Sequence, residues 1–168
     1  MEHDNTQTKK PPQLLAIGFI QDARAFISDA ETLLEANSQG TGASPFSAPT
    51  YYLLCHAMEL ALKGYLASSG VSKNKLQYKI GHDLEKALSL AQERGFVPAD
   101  DRFVELVECL GPSHLDHSFR YRNTNPLHLP ALTVAMEAIK ATIEGLDPYV
   151  RSQFLAYRER TNDPRWAG

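Results

Sequence analysis

One run constrains this chain more than any other: Tyr51 to Lys63, YYLLCHAMELALK. His56, Glu59 and Lys63 are spaced by three and four residues, so a helix stacks their side chains along one stripe. Leu53, Leu54, Ala57, Leu60 and Ala61 surround that stripe and read as buried on more than one side. A helix that is apolar nearly all round must supply partners for an imidazole, a carboxylate and an ammonium, because unpaired buried polar groups are costly.

The rest of the chain reads as helices joined by breakers. Met1 to Pro12 is polar, ends in a proline pair, and is expected to be a loosely attached tail; residues 13–168 form a single domain, long enough to bury a substantial core. Leu14 to about Asn37 carries an apolar stripe of Leu15, Phe19, Phe26, Ala30, Leu33 and Leu34 and is expected to be a long amphipathic helix. Ser38 to Pro49 is a loop. The second helix starts near Ser47 or Pro49, with Ser47 as its N-cap, and ends at Ser68-Ser69-Gly70.

The connection Val71 to Gly81 alternates enough for a short extended piece. A third helix, His82 to Arg94, is closed by Gly95; a fourth, Ala99 to Leu110, is stopped by Gly111-Pro112. A polar connection from Ser113 to Leu129 leads to a fifth helix that begins at Pro130 and continues to about Gly145. Pro148 to Arg160 reads as a sixth. With no repeat and no credible sheet, the fold class is all-α: an antiparallel bundle of five or six helices.

Composition narrows the function. A net charge of −3 and a pI near 6.1 argue against a generic nucleic-acid binder, although Leu60 to His82 carries Lys63, Lys73, Lys75 and Lys79 and no acid. No apolar run approaches a membrane span and the N-terminus is polar, so the expected compartment is the cytoplasm. Cys55 and Cys109 read as small hydrophobes. Glycine-rich phosphate loops, a nucleophile elbow and CxxC pairs are absent, so no cofactor is expected.

Three constellations could carry chemistry. In the first, His56, Glu59 and Lys63 either set helix register as a polar network or line a pocket. His-x-x-Glu supplies two ligands where a metal site needs about three, so no metal site is assigned, although His82 or another histidine could add to the set. The second is Gly81-His82-Asp83, where the glycine permits a sharp turn, His82 or Asp83 caps the next helix, and His82 can reach the stripe.

The third is Arg120-Tyr121-Arg122-Asn123-Thr124-Asn125-Pro126-Leu127-His128. Its arginines and tyrosine could hold a phosphodiester by fork-like bonds and stacking, and its histidine could move a proton. It reads equally as a solvated loop whose arginines pair with nearby acids. His114 and His117 add imidazoles to the same connection without a third ligand that the sequence can place.

Together, the Ser44-Pro45-Phe46-Ser47-Ala48-Pro49 lead-in, the helix Tyr52 to Lys63, the Gly81-His82-Asp83-Leu84 turn and Arg120-Tyr121-Arg122 resemble a bacterial branch of the HEPN superfamily, the higher eukaryote and prokaryote nucleotide-binding domains. The resemblance spans most of the chain. It implies an all-α bundle that homodimerises. In nuclease members an arginine and a histidine four to six residues apart cut RNA without metal; Arg122 and His128, with five residues between them, fit that pattern. The resemblance thus implies a metal-independent endoribonuclease with Arg122 and His128 catalytic and Arg120, Tyr121 and Asn123 binding substrate. It equally admits a non-catalytic nucleotide- or RNA-binding or protein-interaction module of a toxin-antitoxin or defence system, with an antitoxin or nucleotidyltransferase-like partner.

Overall fold

A computed structural model of the chain describes residues 11–39, 47–121 and 129–162. The expected tail up to residue 10, most of the loop after the first helix, and Arg122, Asn123 and His128 lie outside the described residues. Six α-helices and one π-helical stretch are present among the described residues, without a strand. Among those residues no helix is long and apolar enough to cross a membrane.

Helix α1 spans Pro12–Ser38. Pro11 and Pro12 belong to the fold rather than to a tail: the Pro11 carbonyl accepts from the amides of Leu14 and Leu15, and Pro12 occupies a first turn, where a missing amide costs nothing. Helix α2, Ala48–Ser68, starts at Ser47, whose hydroxyl accepts from the Thr50 amide. It ends as Gly70 enters the left-handed region at φ 88° and the Val71 amide closes onto Leu66. α2 is buried almost all round, as its composition requires, and forms the centre of a single core.

The connection after α2 is helical, not extended. A short turn, α3 (Lys73–Lys75), runs into a π-helical stretch over Leu76–Ile80. Leu76 and Ile80 are buried while Gln77, Tyr78 and Lys79 face solvent. That four-residue spacing is a helical one, which the alternation of Leu76, Tyr78 and Ile80 imitates. Gly81, at φ 61°, then turns the chain into α4 (Leu84–Glu93), where the Asp83 carboxylate accepts from the Lys86 amide.

Helix α5 spans Arg102–Leu115 and passes straight through Gly111-Pro112. A proline ring already has a helical φ; it forfeits one backbone bond, and Pro112 stands on the exposed face where the freed carbonyl of the preceding turn can be hydrated. Gly111 is a packing position: a Cβ there would lie 3.7 Å from the Leu84 Cβ and 3.5 Å from the Glu85 Cγ. Helix α6, Leu132–Thr161, likewise absorbs Pro148, so the expected fifth and sixth helices are one. Pro130 precedes this helix and uses its carbonyl to accept from the Tyr51 hydroxyl.

Contacts along the helices fix their directions. Gly64 meets Ile20 while Asn37 bonds Ser47, so α1 and α2 are antiparallel. Arg24 pairs with Asp147 and Glu31 with Lys140, so α1 and α6 are antiparallel too. α2 and α6 therefore run parallel, with Tyr51 near Pro130 and Tyr65 stacked on Tyr149. α4 and α5 are antiparallel as well, with Gly111 on Leu84 and Phe103 on Phe96 just beyond the end of α4.

Among the described elements, the α1–α2 interface is the most extensive. It closes tightly at Gly64, where a Cβ would sit 2.7 Å from the Ile20 Cδ1 and 3.0 Å from its Cγ1. Gly64→Val is expected to lower stability by about 1–3 kcal/mol through overpacking. Urea denaturation should show the loss, and Ile20→Ala in the same chain should return part of it; additive losses would contradict the close-packing account.

Candidate functional site: a carboxylate among histidines

Three elements converge on the Glu59 carboxylate. From α2 itself, Lys63 donates its ammonium to Oε1 at 2.6 Å. From the turn before α4, the His82 Nδ1 lies 3.2 Å from Oε1 and 3.0 Å from Oε2. From the last turn of α5, the His114 Nε2 lies 2.7 Å from Oε2. An ionised carboxylate only accepts, so these bonds require a proton on His82 Nδ1 and on His114 Nε2.

Glu59 and His114 are each 4 % exposed and Lys63 is 9 %, whereas the His82 side chain is 54 % exposed and forms the rim. Burial alone would raise the Glu59 pKa. The hydrogen bonds from His114, Lys63 and His82, with the charge of Lys63, outweigh it and hold the group at about 2, against an ordinary 4.5.

His56 behaves differently. Phe26 stacks on its ring at 5.4 Å, while Tyr52 meets it edge-on at 4.4 Å and His114 at 5.0 Å. Its Nε2 is buried and has no hydrogen-bond partner among the described residues. Desolvation, reinforced by His114, His82 and Arg120 and opposed by Glu59, lowers its pKa from 6.5 to about 4, so the ring is neutral at pH 7.

The network reaches solvent through Tyr52. Arg120 lies over the Tyr52 ring at 5.1 Å and donates from Nη2 to its hydroxyl at 2.7 Å. Tyr121, next in sequence, is 71 % exposed, and His117 lies 6.4 Å from His82 ring to ring. Glu59, Lys63 and His82 are thus joined by hydrogen bonds, while His56 meets the group through its ring. Asp83 stands beside them, but its carboxylate is occupied by the amide and ammonium of Lys86. Cys55 is buried as expected, with its thiol pKa pushed up by burial; Cys109 is exposed, and no disulfide joins the two.

Sequence reasoning missed His114 as a partner of Glu59, although a signal was present. Phe103, Leu106, Val107 and Leu110 form the buried stripe of α5, and position 114 is the next step of that stripe once the helix continues through Pro112. His56, Glu59 and His114 each offer a ligand atom, all within 4.8 Å of one another, so among the described residues this cluster has the chemistry to hold a metal ion. Elsewhere, an open cleft lined by Tyr65, Arg94, Phe96 and Tyr149 lies at the other end of α2. Comparison of the chain with protein-family models, with curated proteins and with solved structures found no match.

Two outcomes follow from the buried charges. Glu59→Ala leaves the Lys63 ammonium buried without its anion and should cost about 3–5 kcal/mol in chemical denaturation; a Glu59→Ala, Lys63→Met double variant should lose less. On acidification, the unfolded chain takes up a proton at His56 between pH 6.5 and about 4 that the folded protein resists, so stability falls across that window. Glu59, with its depressed pKa, adds a second loss between about pH 4.5 and 2. Denaturation midpoints measured from pH 7 to 4 should decline in wild type and flatten in His56→Phe.

Proposed function

We propose that the protein binds RNA through the face that carries His82, Arg120 and Tyr121. The observation that carries this reading is the Arg120–Tyr52 pair: a guanidinium held against an aromatic ring by a 2.7 Å bond, with an exposed tyrosine beside it. A cation fixed in place next to a free aromatic face suits a phosphodiester backbone and a splayed base, the two features that single-stranded RNA offers together. Lys73, Lys75 and Lys79, all exposed on the turn leading to His82, add local positive charge to a chain whose net charge is −3.

The resemblance to the HEPN superfamily supports the same reading and extends it to a homodimer working with an antitoxin or nucleotidyltransferase-like partner. Within this reading, Glu59 and its histidines brace the binding face. Both oxygens of the carboxylate already accept hydrogen bonds, from Lys63, His82 and His114, which suits a brace better than a group that attacks substrate.

A second reading, cleavage of the bound RNA without metal, is favoured by one sequence observation: Arg122 and His128 have five residues between them, directly after Arg120 and Tyr121. In that case Arg122 holds the scissile phosphate and His128 transfers the proton, with Asn123 at the substrate.

Fluorescence anisotropy with labelled single-stranded RNA separates these readings. Wild type should bind with an affinity that falls as salt rises, and Arg120→Ala or Tyr121→Ala should each weaken binding by about tenfold, in the range of one lost stacking contact. Equal binding by both variants would sink the proposal. The same RNA incubated in EDTA should be cut by wild type and left intact by Arg122→Ala and His128→Ala if the second reading holds; binding without cleavage leaves the module non-catalytic.

A further inference from the structure

We propose that His56, Glu59 and His114, with His82 at the solvent edge, form a site for one divalent transition-metal ion of the zinc class. The inference does not rest on RNA binding. His56 and Glu59 come from adjacent turns of α2, and His114 is delivered from α5 by the helix that continues through Pro112. Their ligand atoms lie within 4.8 Å of one another, and a tetrahedral ion with bonds of about 2.0–2.2 Å holds its donors roughly 3.3–3.5 Å apart. Side-chain adjustments of about 1 Å close that gap.

The second, independent observation is the His56 Nε2. It is buried and without a hydrogen-bond partner among the described residues, on a ring that meets His114 edge-on at 5.0 Å. A network built only to satisfy Glu59 does not need it, since Lys63, His82 and His114 already do so. A coordination site does need it, as the third of three protein ligands.

The remaining geometry assigns roles. Lys63 grips Oε1 and leaves Oε2 to face the histidines, the orientation a supporting partner gives a ligating carboxylate. His82, half exposed and 3.0 Å from Oε2, stands where an ion would enter and supplies the fourth ligand. Coordination at His114 Nε2 displaces the proton that now bonds Glu59, either to Nδ1 or to solvent, so metal uptake from a charged imidazole releases one proton. Imidazole-rich donors with one carboxylate suit zinc, cobalt, nickel or copper rather than magnesium or calcium, which favour all-oxygen sites. Bound there, the ion ties α2, the Gly81 turn and α5 together.

The full chain, free of tags and stripped with EDTA, tests this after transfer to chelator-free buffer. Once zinc is added back and the excess removed, elemental analysis should find one zinc per chain, and Tm should rise by ~5–10 °C with zinc about a hundredfold above its Kd. In wild type, one equivalent of zinc should shift the ring nitrogen signals of His56, His82 and His114 and leave those of His3, His117 and His128 in place. His56→Gln removes no hydrogen bond at Nε2, so it should stay folded in EDTA and lose zinc affinity by at least about tenfold; His82→Gln should lose less. No zinc-dependent Tm rise in wild type, shifts at His3, His117 or His128 instead, or a wild-type response in His56→Gln would overturn the proposal.

Discussion

The Glu59 carboxylate is the constraint around which the rest of this structure is arranged. It is charged, almost wholly buried, and sits on the helix that forms the centre of the core. A buried carboxylate is tolerable only when its lone pairs are filled and its charge is matched. Here the match comes from its own helix, through Lys63, and the filling comes from two other segments, through His82 and His114. The positions of the Gly81 turn and of the end of α5 are therefore set by electrostatics as well as by apolar packing. A core of leucines alone would let those segments slide; a single carboxylate with directional partners does not.

The same arrangement explains how a face with chemical character arises on a modestly acidic protein. Pinning α5 through His114 carries the following turns to the open end of α2, where Arg120 lies against Tyr52. The buried network and the exposed cation are connected through the rings of His56 and Tyr52. Interior and surface are thus parts of one construction, and a perturbation at Glu59 should reach Arg120 through only two aromatic contacts.

Much of this was legible in the sequence, and the exceptions share a cause. The Ser47 cap, the α2 run, the Gly70 and Gly95 stops and the His56–Glu59–Lys63 stripe follow from local spacing and appear where expected. The errors that bear on the site fall at Gly111-Pro112 and Pro148, where breakers were read as ends; the short extended piece expected over 71–81 was a separate one, where a helical spacing imitates alternation. Proline ends a helix when the lost bond and the ring clash exceed what packing returns, and packing is not local. At Pro112 the ring faces solvent while Leu110, Gly111 and His114 are buried, so tertiary contacts carry the helix onward. Misplacing that boundary by a few residues put His114 in a loop and hid the partner that completes the Glu59 network. The parallel course of α2 and α6 was hidden too, because chain direction depends on how the long connections travel.

The partners of Glu59 are separated from it by 4, 23 and 55 residues along the chain. During synthesis α2 therefore forms with one partner for its carboxylate, gains the second when the Gly81 turn folds, and waits for all of α4 and nearly all of α5 before the third arrives. Until α5 docks, the central helix must keep its charged stripe wet, and the α1–α2 pair cannot settle into its final burial. The last turn of α5 acts in this sense as a latch on the order of folding. It ties completion of the core to a histidine that is translated 55 residues after the carboxylate it serves.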